Sequence, residues 1–206
     1  MRNSTRGFSL IELLIVLAVI GYLAVMAESS FAKWIADAQV RTAAETMAND
    51  MRRAQAESIR LSRQVAFVLS SNDPQSASLS LASSGAKYWS AWSLPLLTTD
   101  ETTPTLLFLY SIKNTNASVA GYVDASAASV LCFNSVGRLV SSSATISGAT
   151  VTCTAPATKD YFAVTNSGGS RFSGGAASLR VQAFLGGQIR MCDNNKSLSS
   201  SNPDGC

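Results

Sequence analysis

The sequence predicts an α+β protein: one long N-terminal helix, membrane-spanning then amphipathic, packed on a β-rich, mostly antiparallel C-terminal head. Three observations predict it. Residues 8–27 run apolar with a single charge, Glu12. No proline occurs before Pro74, and helical patterning continues well past the apolar run. Beyond Arg63 the pattern changes to short β-like runs punctuated by turn residues.

The N-terminal element comes first. Residues 1–7, Met-Arg-Asn-Ser-Thr-Arg-Gly, are short and basic. The following run, FSLIELLIVLAVIGYLAVMA, is about 30 Å long as a helix, the thickness of a bilayer's hydrocarbon core. Arg2 and Arg6 hold its leading end in the cytoplasm by the positive-inside rule, which places the rest of the chain outside. An ordinary secretory signal predicts a shorter core, a small-x-small cleavage site and no internal charge. Ala24 to Ala27 imitate such a site only faintly. Glu12 argues against it, because an ionised carboxylate there costs about 2.5–3.5 kcal/mol on insertion scales and demands a partner.

Past the apolar run, Phe31, Ile35, Ala38, Thr42, Met47, Met51, Ala54 and Ile59 recur at roughly helical spacing. Charged residues stand between them, with Asp37–Arg41 and Arg41–Glu45 as opposite charges four apart. The spacing predicts one helix over residues 8–61. Arg52, Arg53, Arg60 and Arg63 read as a solvated helix end whose cations complement the C-terminal dipole.

The head is expected to hold strands at 65–69, 78–81, 88–94, 106–112, 130–133, 149–153, 161–165, 179–185 and 188–191. Turn chemistry at Asn72-Asp73-Pro74, Ser83-Ser84-Gly85, Asn134 to Gly137 and Asn166 to Gly169 separates them. Residues 111–129, rich in Ser, Ala and Asn, read as a loop or weak strand. Tyr88, Trp89 and Trp92 form an aromatic group that core packing explains more simply than a stacking platform.

Composition narrows the chemistry. Hydrophobic residues make up 47% of the 206 and charged residues 14%, too apolar for disorder. Without residues 1–7, 14 basic residues face 13 acidic ones, a net +1 from the formal +3 after loss of Arg2 and Arg6. Such a body has no general attraction for nucleic acid. There is no histidine, which removes every His-based triad and His-ligated metal site. No paired carboxylates or nucleophile motif stands out, so neither a catalytic residue nor a cofactor is expected. The four cysteines fall at 132, 153, 192 and 206 with no CxxC pair, which favours disulfides in an oxidising compartment. Cys192–Cys206 closes a short terminal loop, stabilising by about 3 kcal/mol on the loop-entropy model. Cys132–Cys153 then staples neighbouring strands, although the other two connectivities stay open.

Gly7-Phe8-Ser9-Leu10-Ile11-Glu12-Leu13 resembles the class III signal of type IV prepilins and pseudopilins. The resemblance implies cleavage by a prepilin peptidase after Gly7, methylation of the new amino terminus at Phe8, and use of Glu12 to neutralise a neighbouring subunit's amine during assembly. It also implies four parts: a leader at 1–7, a transmembrane and filament-core half-helix at 8–28, an amphipathic half at 29–62, and the head at 63–206. Val130-Leu131-Cys132-Phe133-Asn134-Ser135-Val136-Gly137-Arg138-Leu139 and Gly187-Gln188-Ile189-Arg190-Met191-Cys192-Asp193 resemble elements of the GspH/FimT/FimU group.

That group implies a pilin-like fold and a minor pilin that helps prime the filament from an initiation complex at its tip. Its partners would be other major and minor pilins through the N-terminal helix. The head would be periplasmic while the helix spans the inner membrane, and at the cell surface once in a pilus. A type II secretion pseudopilin is an alternative. A second is a competence pilin that binds DNA through Arg190, Arg180 and Arg171. Against DNA, Gln188 departs from the Gly-Arg-x-Arg pattern, and residues 166–206 carry four cations against two acids.

Overall fold

In the computed structural model the described residues are 9–75, 78–95, 103–112, 123–125, 129–165 and 178–206. A helix, α1, spans Leu10–Leu61. It starts where the Ser9 carbonyl accepts from the amides of Glu12 and Leu13. It ends in a Schellman motif: Arg63 N–H donates to Ser58 O and Ser62 N–H to Ile59 O, with Ser62 left-handed at φ 52°. The chain divides into two compact units at Ile35/Ala36. In the first, the side chains from Leu10 to Ala24 are all exposed.

In the second unit the buried stripe of α1 is Val40, Ala43, Ala44, Met47, Ala48, Met51, Ala54 and Ser58, steps of three and four that keep one face inward. Alanines on this stripe allow close approach to the sheets. The expected stripe was partly misplaced, since Ile35, Ala38, Thr42 and Ile59 are exposed.

The strands are β1 (Val65–Ser70), β2 (Tyr88–Ser93), β3 (Thr105–Ser111), β4 (Val123–Ala125), β5 (Val130–Phe133), β6 (Ser142–Ile146), β7 (Ala149–Cys153), β8 (Lys159–Thr165), β9 (Ser178–Phe184) and β10 (Ile189–Asp193). They form sheets of order β3-β2-β1-β5 and β10-β9-β8-β4 and a hairpin β6-β7. Every strand pairing among the described residues is antiparallel.

One core joins the α1 stripe to the inner faces of both large sheets, through Phe67, Trp89 and Phe133 on one and Phe162, Val181 and Ile189 on the other. Each large side chain so buried contributes about 1.5–3 kcal/mol. A second cluster lies behind β1, where Ala66, Val68, Trp92 and Cys132 meet Ile146, Val151 and Cys153 of the β6–β7 hairpin. β1 is therefore buried on both faces, which is why its sequence, VAFVLS, reads as an apolar run without alternation. Disulfides join Cys132 to Cys153, stapling β5 to the hairpin, and Cys192 to Cys206, tying β10 to the last residue.

Two expectations need correction. Residues 78–81 are not a strand; one isolated bridge, Ser70 to Leu81, remains. The Asn72 amide takes the ladder's place, donating to Ser78 O and accepting from Ser80 N–H. Conversely, β6 was not anticipated. The signal was present in Ser147-Gly148, both at positive φ, the two-residue turn that a tight hairpin requires. Within 111–129, β4 is a strand, while 113–122 and 126–128 lie outside the described residues, as does the turn expected at 166–169.

Candidate functional site

The N-terminal site rests on Gly7, Phe8 and Glu12. Gly7 and Phe8 lie outside the described residues. Glu12 occupies the first turn of α1, where a carboxylate complements the helix dipole, and is exposed among exposed aliphatic neighbours. Leu10, Ile11, Leu13 and Leu14 flank it, each more than half exposed. Among the described residues no helix is long and apolar enough to cross a membrane. The apolar run of the sequence extends beyond the side chains described.

The two glycine turns of the head meet at a residue that sequence reasoning missed. Gln55, between Ala54 and Ala56 on α1, donates through Nε2 to Gly137 O at 2.7 Å and to Gly187 O at 2.8 Å. Gly137 follows β5, and Gly187 lies in the β9–β10 turn; both have positive φ, 78° and 93°. A Cβ on Gly187 would run into the Gly137 carbonyl and Gln55 Nε2, so the backbones touch because neither carries a side chain. Leu139 N–H donates to Leu185 O beside this junction, and the Arg52 guanidinium reaches Ile189 O. One face of α1 thus fixes both sheets.

At the C-terminus, β10 carries Arg190 and Cys192 on the same face as Gln182 and Arg180 of β9, by their register. The Arg190 guanidinium donates to Pro203 O at 2.6 Å and Gly205 O at 3.1 Å, clasping the terminal tail. Lys196 bridges Asp204 at 2.6 Å and Asp193 at 3.6 Å. That hydrogen bond raises the Lys196 pKa and lowers that of Asp204. Arg180 lies over the Tyr161 ring, 4.2 Å from its centroid. Arg171 lies outside the described residues. The tail therefore holds Arg190 in place, and the arginines do not converge on an open anion site among the described residues. A cleft of about 280 Å³ between Arg41 and the end of β10 is floored by Leu179 and Met191. Its rim charges are paired, Arg41 with Glu45 and Lys196 with the two aspartates.

The other groups singled out in the sequence are structural. Trp89 is fully buried, stacked on Tyr110 at 4.3 Å, and donates to Asp50 Oδ2 at 2.8 Å. Burial pushes the Asp50 carboxyl above its ordinary value, against the opposing pull of the Trp89 hydrogen bond and Arg53. Trp92 faces the second cluster and donates to Ser90. On the basic helix end, Arg53 covers Phe108 and Arg60 pairs with Glu57. Among the described residues no group of His, Cys, Asp or Glu gathers as metal ligands.

Comparison with known proteins gives two family matches. The prokaryotic N-terminal methylation motif matches residues 2–27. The family described as type II transport protein GspH matches residues 43–201, most of the chain. Two crystal forms of the Pseudomonas aeruginosa type IV minor pilin FimU are similar to it, each at a TM-score of 0.44 and covering 76% of this chain. One is 16% identical with 94% of that chain covered, the other 18% identical with 90% covered. No curated protein matches.

Proposed function

Because the chain belongs to the GspH family of type II transport proteins and carries the N-terminal methylation motif, we propose that it is a minor type IV pilin, a structural subunit that primes filament assembly in the initiation complex at the tip. The family is one of structural pilins, which are not enzymes. In this reading residues 1–7 are the leader, 8–28 span the inner membrane and later line the filament core, 29–62 form the amphipathic half-helix, and 63–206 form a periplasmic head.

Glu12 carries the proposal. It is a lone carboxylate in the first turn of a helix whose side chains are otherwise exposed and apolar from Leu10 to Leu23. Within a membrane or a packed filament core, such a carboxylate is tolerated when a cation meets it in the same layer. Cleavage after Gly7 frees an amine on Phe8, and a neighbouring subunit's Phe8 amine is a cation that meets Glu12 once the two helices are offset by about one turn.

A second reading, a pseudopilin of a type II secretion machine, is favoured by the description of the matched family. It uses the same assembly chemistry. DNA binding through Arg190, Arg180 and Arg171 is the weaker reading, because the tail carbonyls already engage the Arg190 guanidinium.

Mass spectrometry of the protein from its native membrane tests the proposal. It should show loss of residues 1–7, a methyl group on Phe8, and four hydrogens missing to two disulfides. An intact Met1, or cleavage near Ala27, overturns it. Deletion then separates the machines: loss of surface pili supports the pilus reading, and a secretion defect with normal pili supports the other.

A further inference from the structure

The first unit ends in an exposed aromatic that nothing in the assembly reading uses. Trp34 is 71% exposed and Ile35 beside it 49%, both in α1 just before the unit boundary. Two adjacent apolar side chains in water on a helix need a partner, and their place along the axis points to one. The apolar run ends at Ala27, so the Trp34 Cα stands about 10 Å beyond the hydrocarbon core at 1.5 Å per residue. Helical side chains lean back toward the turn that precedes them, which carries the far end of the long indole back toward a headgroup layer about 5–7 Å thick. Lys33 precedes Trp34 in sequence, a residue type suited to lipid phosphates.

We propose that Trp34, with Ile35, is an interfacial anchor that seats in the outer headgroup layer of the bilayer and sets the depth of the membrane helix before assembly. The inference rests on the reading of residues 8–28 as a membrane span. An indole suits the site, since its apolar ring meets the acyl boundary while its N–H meets water and phosphate. Tyr22 and the aliphatic residues before it sit deeper, and Trp34 closes the span on its outer side.

The test uses the full mature chain in phosphatidylethanolamine/phosphatidylglycerol vesicles carrying a nitroxide quencher either on the headgroup or deep in the acyl chain. Emission lost by wild type and not by Trp34→Phe is that of Trp34. The headgroup quencher should remove about half of the Trp34 emission and the deep quencher far less, as an interfacial indole requires. Absence of quenching while the chain stays in the carbonate-resistant membrane fraction overturns the anchor and leaves the span intact. Loss of the chain from that fraction overturns both. Shielding of Trp34 that appears only on co-assembly with other subunits assigns it to helix packing and overturns the anchor.

Discussion

Gln55 holds Gly187 by a hydrogen bond from its side-chain amide to the glycine carbonyl, 2.8 Å long, and its second N–H takes the Gly137 carbonyl at 2.7 Å. These residues lie 132 and 82 positions apart from it in sequence. The amide presents two donors to two acceptors and fills both. The helix therefore meets both large sheets through one side chain, at the only kind of turn whose backbone can come so near.

Gln55→Ala leaves two carbonyls partly buried without a donor, at about 1–3 kcal/mol each. Gln55→Glu is expected to be worse at neutral pH, because it points a carboxylate at two carbonyl oxygens. Gly187→Ala is expected to disrupt the junction from the other side, through the Gly137 carbonyl and the positive φ. Urea unfolding of the three variants checks the order, and Gln55→Ala as stable as wild type would show that the contact carries no weight.

Ser62 sits where helices usually place glycine. Its φ of 52° costs an L-residue about 1–2 kcal/mol, and it is exposed with no side-chain contact to lose among those described. Ser62→Gly should therefore raise stability by about 0.5–1 kcal/mol after the added freedom of the unfolded chain is subtracted. Thermal unfolding reads this as a small upward shift in Tm, and a fall would mean that the serine hydroxyl pays for its strain.

What the sequence made legible follows from these contacts. Strands such as Val65–Ser70 and Val130–Phe133 were readable because β-branched and aromatic runs fill a buried sheet. The α1 stripe was misplaced between Ile35 and Thr42 because Ala and Thr give little contrast between an inner and an outer face. The β6 strand, Ser142–Ile146, was missed because its outward side chains are polar, and only the turn after it marks it. Gln55 and Arg190 were beyond reach for one shared reason. Their acceptors are backbone carbonyls, which every residue carries, so no side-chain pattern announces them. For Arg190 the family resemblance drew attention to the residue, but the tail carbonyls it holds left no mark in the sequence.

Asp50 makes stability depend on pH in an unusual direction for a carboxylate. Its folded pKa lies above the ordinary 3.8, chiefly through burial. Its contribution is thus fully present below the unfolded pKa and lost as pH rises through the folded one. Asp50→Asn keeps an oxygen for the Trp89 indole and removes the titration. The variant should gain on wild type as pH rises from 4 to 7, and the gap should close again in acid. Paired unfolding curves across that range check it, and a constant difference would show that Asp50 ionises freely.

Arg190 is expected to act on the tail through geometry as much as charge. One nitrogen, Nη2, donates to the Pro203 and Gly205 carbonyls together from a rigid planar group, whereas an ammonium sits on a shorter, flexible stem. Arg190→Ala should loosen residues 194–206 while the Cys192–Cys206 bond still tethers their end, so proteolysis within the tail speeds up and the rest of the head keeps its unfolding midpoint. Arg190→Lys should restore only part of the protection. Duplex DNA supplies the contrasting readout. If Arg190 serves the tail, the folded head binds DNA weakly and the Ala variant no less, with a shallow salt dependence in both. Salt-steep binding that is lost in the Ala variant, with the tail still protected, would return Arg190 to nucleic-acid recognition.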